Sequence, residues 1–127
     1  MQLSERDHEG TLDPLHLSGF TGGDEDLEVE VLQIFQANAP GYLAVLESAG
    51  PGNWKPAAHK LKGAARGIGA WSLAREAERA EHNASEAADA EGREARLSQL
   101  RECLQQLNIA ITARIKAIRD AEMIDHE

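Results

Sequence analysis

Between residues 93 and 121, apolar side chains return at helical intervals with almost no interruption: Leu97, Leu100, Leu104, Leu107, Ile111 and Ile118. A stripe of that period and length can be buried only by a neighbour lying along it. The chain supplies three more such stripes. In GGDEDLEVEVLQIFQANAPGYLAVLESAG, Leu27, Val31, Ile34 and Phe35 are predicted to share a face, Asp24 can cap, and Glu25 and Asp26 suit the positive helix end. Because Leu43 and Leu46 resume the pattern past Pro40 and Gly41, this reads as one kinked helix over about 24–48.

The segment GPGN at 50–53 reads as a turn, with Asn53 as N-cap of a helix opening on Trp54 and Pro56 in its first turn. Trp54, Ala58, Leu61, Ala65 and Ile68 then recur at four, three, four and three residues, the mark of a buried stripe. Gly67 and Gly69 loosen the end. WSLAREAERAEHNA predicts another helix over about 70–83, with Leu73, Ala77 and Ala80 inward, followed by the polar connection ASEAADAEG. Near the start, Asp13 and Pro14 open a short helix that Gly19 ends. No alternating strand pattern occurs, and the expected fold is all-α: a four-helix bundle, up-down-up-down, with a short extra N-terminal helix.

At 127 residues the chain is expected to be a single domain, 1–127, with a core over about 11–121 and frayed ends at 1–10 and 122–127. The 22 acidic against 13 basic residues, a formal charge of −9, argue against nucleic acid or an anionic membrane and for a protein or small-ligand partner. Cys103 has no second cysteine to pair with, no apolar run approaches the roughly 20 residues that span a bilayer, and the N-terminus lacks a signal-peptide core. A cytoplasmic monomer is the expectation. Met1 and a charged C-terminus suggest a free-standing chain.

Within AAHKLKGAARGIGA, residues 57–70, the inward stripe leaves Lys55, His59, Lys62, Gly63 and Arg66 on the outer face. Three cations around a histidine reverse the sign of an acidic chain and suit a transient anion. Gly63 costs about 1 kcal/mol relative to alanine in a helix interior, and beside an exposed imidazole its benefit is room. The chemistry that needs these pieces is phosphoryl transfer through a phosphohistidine. Neighbouring cations favour the neutral, nucleophilic imidazole, and Lys62, one turn on, can bind the phosphoryl oxygens.

The run AAHKLKGAARGIGAW resembles the signature of histidine-containing phosphotransfer (HPt) domains, roughly Ala-His-x-Leu-Lys-Gly-Ser/Ala-Ala followed by Leu/Ile-Gly-Ala. The upstream GGDEDLEVEVLQIF is similar to the family's Gly-Gly-Asp-x-x-Leu-x-x-Glu-Leu-Leu-x-x-Phe helix, so the resemblance covers most of residues 11–120. It implies a four-helix bundle that carries phosphoryl groups between receiver domains without a nucleotide site or turnover of its own. His59 matches the phosphorylated residue, Lys62 the phosphate-stabilising lysine and Gly63 the small residue that admits the receiver. Glu81 falls where the family places a Gln or Glu on the following helix to hold the histidine's other nitrogen. By helical spacing alone, Arg66 is assigned a phosphate or receiver contact and Lys55 a receiver contact. No cofactor or resident metal is expected, any Mg²⁺ belonging to the receiver.

A second reading, a helical adaptor docking a protein through its basic stripe, stays open at this level. His8, His16, His82 and His126 read as ordinary surface histidines, and Trp71 as a cover for the bundle end. ERDH at 5–8 spells a di-iron half-motif, but a lone copy in a polar terminus lacks its facing partner. GAARGIG lacks the strand and lysine context of a nucleotide loop.

Overall fold

A computed structural model describes residues 10–83 and 89–125. Five helices account for almost all of them: α1, Pro14–Thr21; α2, Glu25–Ser48; α3, Pro51–Gly67; α4, Trp71–His82; and α5, Ala90–Asp125. There is no strand among the described residues. ERDH, His8 and His126 lie outside them.

Short connections turn α2 into α3 and α3 into α4, and side-chain pairs run antiparallel along α3–α4 and α2–α5. α3 packs between α2 and α4, and α5 closes the ring by packing on both α4 and α2. At 36 residues, α5 extends about 54 Å, three times the length of α4. The α2–α5 seam is pinned near the middle of α2 by Gln36 Nε2 donating to Thr112 Oγ1 at 3.3 Å and near its end by Arg101 on Glu47 at 2.8 Å.

The core consists of the expected stripes of α3, α4 and α5: Trp54, Ala58, Leu61, Ala65, Ile68, Leu73, Ala77, Ala80, Leu97, Leu100, Leu104, Leu107, Ile111 and Ile118 are all buried. Each large apolar side chain removed from water contributes roughly 1.5–3 kcal/mol. Trp54 has no exposed surface, and its indole N–H donates to Ala80 O at 2.8 Å, so the one polar atom buried there is satisfied. Arg93 lies 5.6 Å over the Trp54 ring and donates to the carbonyls of Leu46 and Glu47 at the end of α2.

Helix α2 differs from its predicted face. Val29, Leu32, Phe35, Ala39 and Leu46 are inward, whereas Leu27 and Ile34 are exposed and Val31 is only partly covered. The apolar set Val29, Leu32, Phe35, Ala39 and Leu46 sets this rotation, which also buries Glu28, 2% exposed, against Arg114 of α5. An α2 turned to bury Leu27 and Ile34 would separate that pair.

Three boundaries also move. α1 runs past Gly19 to Thr21 and ends on Gly22, whose left-handed φ of 65° suits a C-cap. α3 begins at Pro51, because Gly50 O already accepts from the N–H groups of Asn53 and Trp54; Asn53 is inside the helix and caps nothing. α5 starts at Ala90 and continues to Asp125, so part of the expected connection and part of the expected frayed tail are helical.

The turn between α3 and α4 is clamped by α1. Asp13 Oδ1 accepts from the backbone N–H groups of Leu15 and His16, and Oδ2 accepts from the Trp71 indole at 2.9 Å. Burial works to raise the Asp13 carboxyl, but these N–H groups outweigh it and hold it below its ordinary value. His16 donates from Nε2 to Gly67 O at 3.1 Å and meets Trp71 edge-on, so it is a structural residue and not an idle surface histidine. Gly69 sits at φ 75°, and a Cβ there would lie 3.1 Å from the Cβ atoms of both Asp13 and His16. Trp71 thus covers the bundle end by joining it to α1.

Candidate functional site

His59 lies on the exposed side of α3, because the buried positions Ala58, Leu61 and Ala65 fix the helix's rotation. Its side chain is 67% exposed. Nδ1 is 2.7 Å from Oε2 of Glu81 on α4, and the other oxygen of the same carboxylate is 2.6 Å from Lys62 Nζ. Glu81 and Lys62 are each only 12% exposed, so this pair is set down in the α3–α4 seam while the imidazole stands above it.

The arrangement determines which nitrogen of the ring is reactive. An ionised carboxylate can only accept, so Nδ1 carries the hydrogen, and in the neutral ring the lone pair is on Nε2. The opposite nitrogen is thereby held, and the nucleophilic one is left on the exposed ring. The Glu81 carboxyl lies below its ordinary value chiefly because of the Lys62 ammonium, with the hydrogen bond from His59 adding to the effect against burial. It therefore stays ionised throughout the neutral range.

Gly63, one turn past the histidine, has nothing within 4 Å of where a Cβ would stand. The space beside His59 is open, and packing inside the domain makes no demand for glycine.

The structure brings His59, Lys62 and Glu81 together and leaves the other two candidates apart. Arg66 pairs with Glu78 at 3.1 Å, farther along the seam, and Lys55 is exposed outside the cluster. Within the expected cationic stripe, Lys62 and Arg66 each face a carboxylate from α4, and the charge nearest to His59 is negative. Glu78 and Glu81 are three residues apart on one helix face, and Glu78, to which the resemblance assigns nothing, was missed in the sequence. Glu76, buried between Arg79 and Arg96, was missed as well.

The fold and site together are a helical bundle with an exposed histidine, its Nδ1 held by a carboxylate, and a lysine one turn on. The Hpt domain family model matches residues 30–110, and the chain belongs to that family. Neither curated proteins nor solved structures give a match. Hpt domains serve histidine phosphotransfer in two-component phosphorelays, interact with receiver domains, and are phosphocarriers rather than catalytic enzymes. No helix among the described residues is long and apolar enough to cross a membrane.

Proposed function

We propose that His59 is the phosphoryl acceptor of a phosphorelay, taking the group from a phospho-aspartyl receiver domain and passing it to another. The observation that carries this is the 2.7 Å contact of Glu81 with Nδ1 on a ring that is two-thirds exposed. The Nε2 lone pair forms the N–P bond while the aspartyl O–P bond breaks, its electron pair leaving with the aspartate carboxylate. The imidazole then carries positive charge, and Glu81 stabilises it through the retained Nδ1–H. Onward transfer is the same displacement in reverse, the ring leaving as neutral imidazole with its lone pair restored.

Lys62, now on Glu81, has the phosphoryl oxygens as a second anionic partner, and sharing its ammonium between them stabilises the phosphorylated state. Gly63 gives the receiver access. The chain acts as a carrier without a nucleotide site, Mg²⁺ entering only with the receiver, and works as a cytoplasmic monomer. The adaptor reading assigns His59 no chemistry, so the transfer test separates the two.

The test is transfer from a phosphorylated receiver to wild type, His59→Gln and Gly63→Trp. Acid-labile, alkali-stable phosphate on wild type alone is the expected result, with Gly63→Trp retaining its helix content. Equal labelling of His59→Gln would overturn the proposal.

A further inference from the structure

Glu81, which holds His59 Nδ1 at 2.7 Å and Lys62 at 2.6 Å, is the next-to-last residue of α4. Helix ends fray, and the backbone carbonyls of a last turn lack partners within their own helix. A carboxylate that must stay in reach of two groups on α3 therefore needs its backbone held from outside α4. The margin is small, because a displacement of about 1 Å carries either contact past about 3.5 Å and breaks it.

Trp54 supplies that hold. Its indole N–H donates at 2.8 Å to the carbonyl of Ala80, the residue bonded directly to Glu81. Trp54 stands on α3, the helix that carries His59, and precedes it by five residues, or about 7.5 Å along the axis. One helix thus presents the reacting imidazole and grips the backbone beside the carboxylate that orients it. The indole is itself fixed: it has no exposed surface, Arg93 of α5 lies 5.6 Å over its ring, and Arg93 donates to the Leu46 and Glu47 carbonyls at the end of α2. A phenyl ring would keep much of the apolar contact but has no N–H to offer Ala80.

We propose that Trp54 is a positioning residue for phosphoryl transfer, holding Glu81 against His59 Nδ1 through the Ala80 carbonyl. The inference rests on the reading of His59 as phosphoryl acceptor. Without the indole bond the last turn of α4 relaxes, Glu81 parts from Nδ1, the ring samples both tautomers, and the Nε2 lone pair is presented less often. The effect reaches the imidazole only through Glu81, which distinguishes it from a general loss of stability.

The test compares wild type, Trp54→Phe and Ile118→Ala at a temperature where circular dichroism shows each to be folded. Ile118 is a buried control one turn from the Glu28–Arg114 pair at the start of α2, whereas Trp54 meets Arg93 at its end. Labelling of His59 by phosphoramidate should slow about tenfold in Trp54→Phe and stay within about twofold in Ile118→Ala. Nitrogen NMR should find the Nδ1–H tautomer in wild type and Ile118→Ala, and a mixture in Trp54→Phe. In a Glu81→Ala background, Trp54→Phe should cost less than about twofold more. A Trp54→Phe rate within about twofold of wild type, or a loss equally large without Glu81, overturns the inference while leaving His59 in place. Should Trp54→Phe fail to fold, benzothienylalanine at position 54, with sulfur in place of the N–H, is held to the same outcomes. If wild type takes no label at His59, that reading fails and the inference falls with it.

Discussion

Lys62 is joined to Glu81 at 2.6 Å, so the lysine one turn past the histidine is stored on a carboxylate and does not stand free in solvent. The same carboxylate holds His59 Nδ1. Glu81 thus has two separable jobs, accepting a hydrogen bond and neutralising a cation, and each leads to its own prediction.

Glutamine at position 81 keeps an acceptor for Nδ1–H but loses the charge, whereas alanine loses both. Glu81→Ala should slow labelling of His59 by phosphoramidate about tenfold or more, and Glu81→Gln by less. Nitrogen NMR of the ring checks the cause: neutral His59 should be the Nδ1–H tautomer in wild type and a mixture in Glu81→Ala. An unchanged tautomer in Glu81→Ala would remove the orienting role.

The depressed Glu81 carboxyl also links the site to stability. A group whose pKa is lower folded than unfolded stabilises above its unfolded value, here about 4.5, and loses that contribution as pH falls through the folded value. Urea unfolding should therefore show wild type more stable than Glu81→Gln at pH 7, with the gap closing below about pH 4.5. A gap independent of pH would contradict the ion pair's contribution.

How much of this was legible in sequence depends on what each residue must satisfy. The stripes of α3, α4 and α5 were readable because long apolar runs at one period have one way to be buried, and His59, Lys62 and Gly63 because helical spacing converts directly into a shared face, whereas Glu81, on the next helix, was placed only by the family resemblance. The face of α2 was readable only in part, Phe35 and Leu46 being inward as expected and Leu27 and Ile34 not. The observed face buries Glu28 against Arg114, 86 residues away, and an acidic residue in a helix otherwise reads as solvent-facing. The start of α3 was hidden because Pro51 suits a first helical position as well as a turn. The pairing of Arg66 with Glu78 needed the antiparallel register of α3 on α4, which no single-helix pattern contains.

Two glycines should respond in opposite directions. Gly63→Ala meets nothing within 4 Å in a helix and should stabilise the free domain by up to about 1 kcal/mol. Gly69→Ala combines φ 75° with Asp13 and His16 at 3.1 Å and should cost about 1–2 kcal/mol or more. Urea denaturation of both variants checks the pair, and destabilisation by Gly63→Ala would mean that this glycine serves the fold.

Removing one partner of the Glu28–Arg114 pair leaves the other uncompensated. Arg114→Leu should cost about 3 kcal/mol, and the double change Glu28→Leu with Arg114→Leu should recover most of it. Additive losses in that double-mutant cycle would show that the two residues are not coupled.

The central claim is that Glu81 fixes Nδ1 and leaves Nε2 of His59 to take the phosphoryl group. Phosphorus NMR of the protein labelled by phosphoramidate, followed through a pH titration, separates the two phosphohistidine isomers. The account predicts a single N–P signal of the Nε2 isomer, absent in His59→Gln. A signal of the Nδ1 isomer, or one that persists without His59, would contradict it.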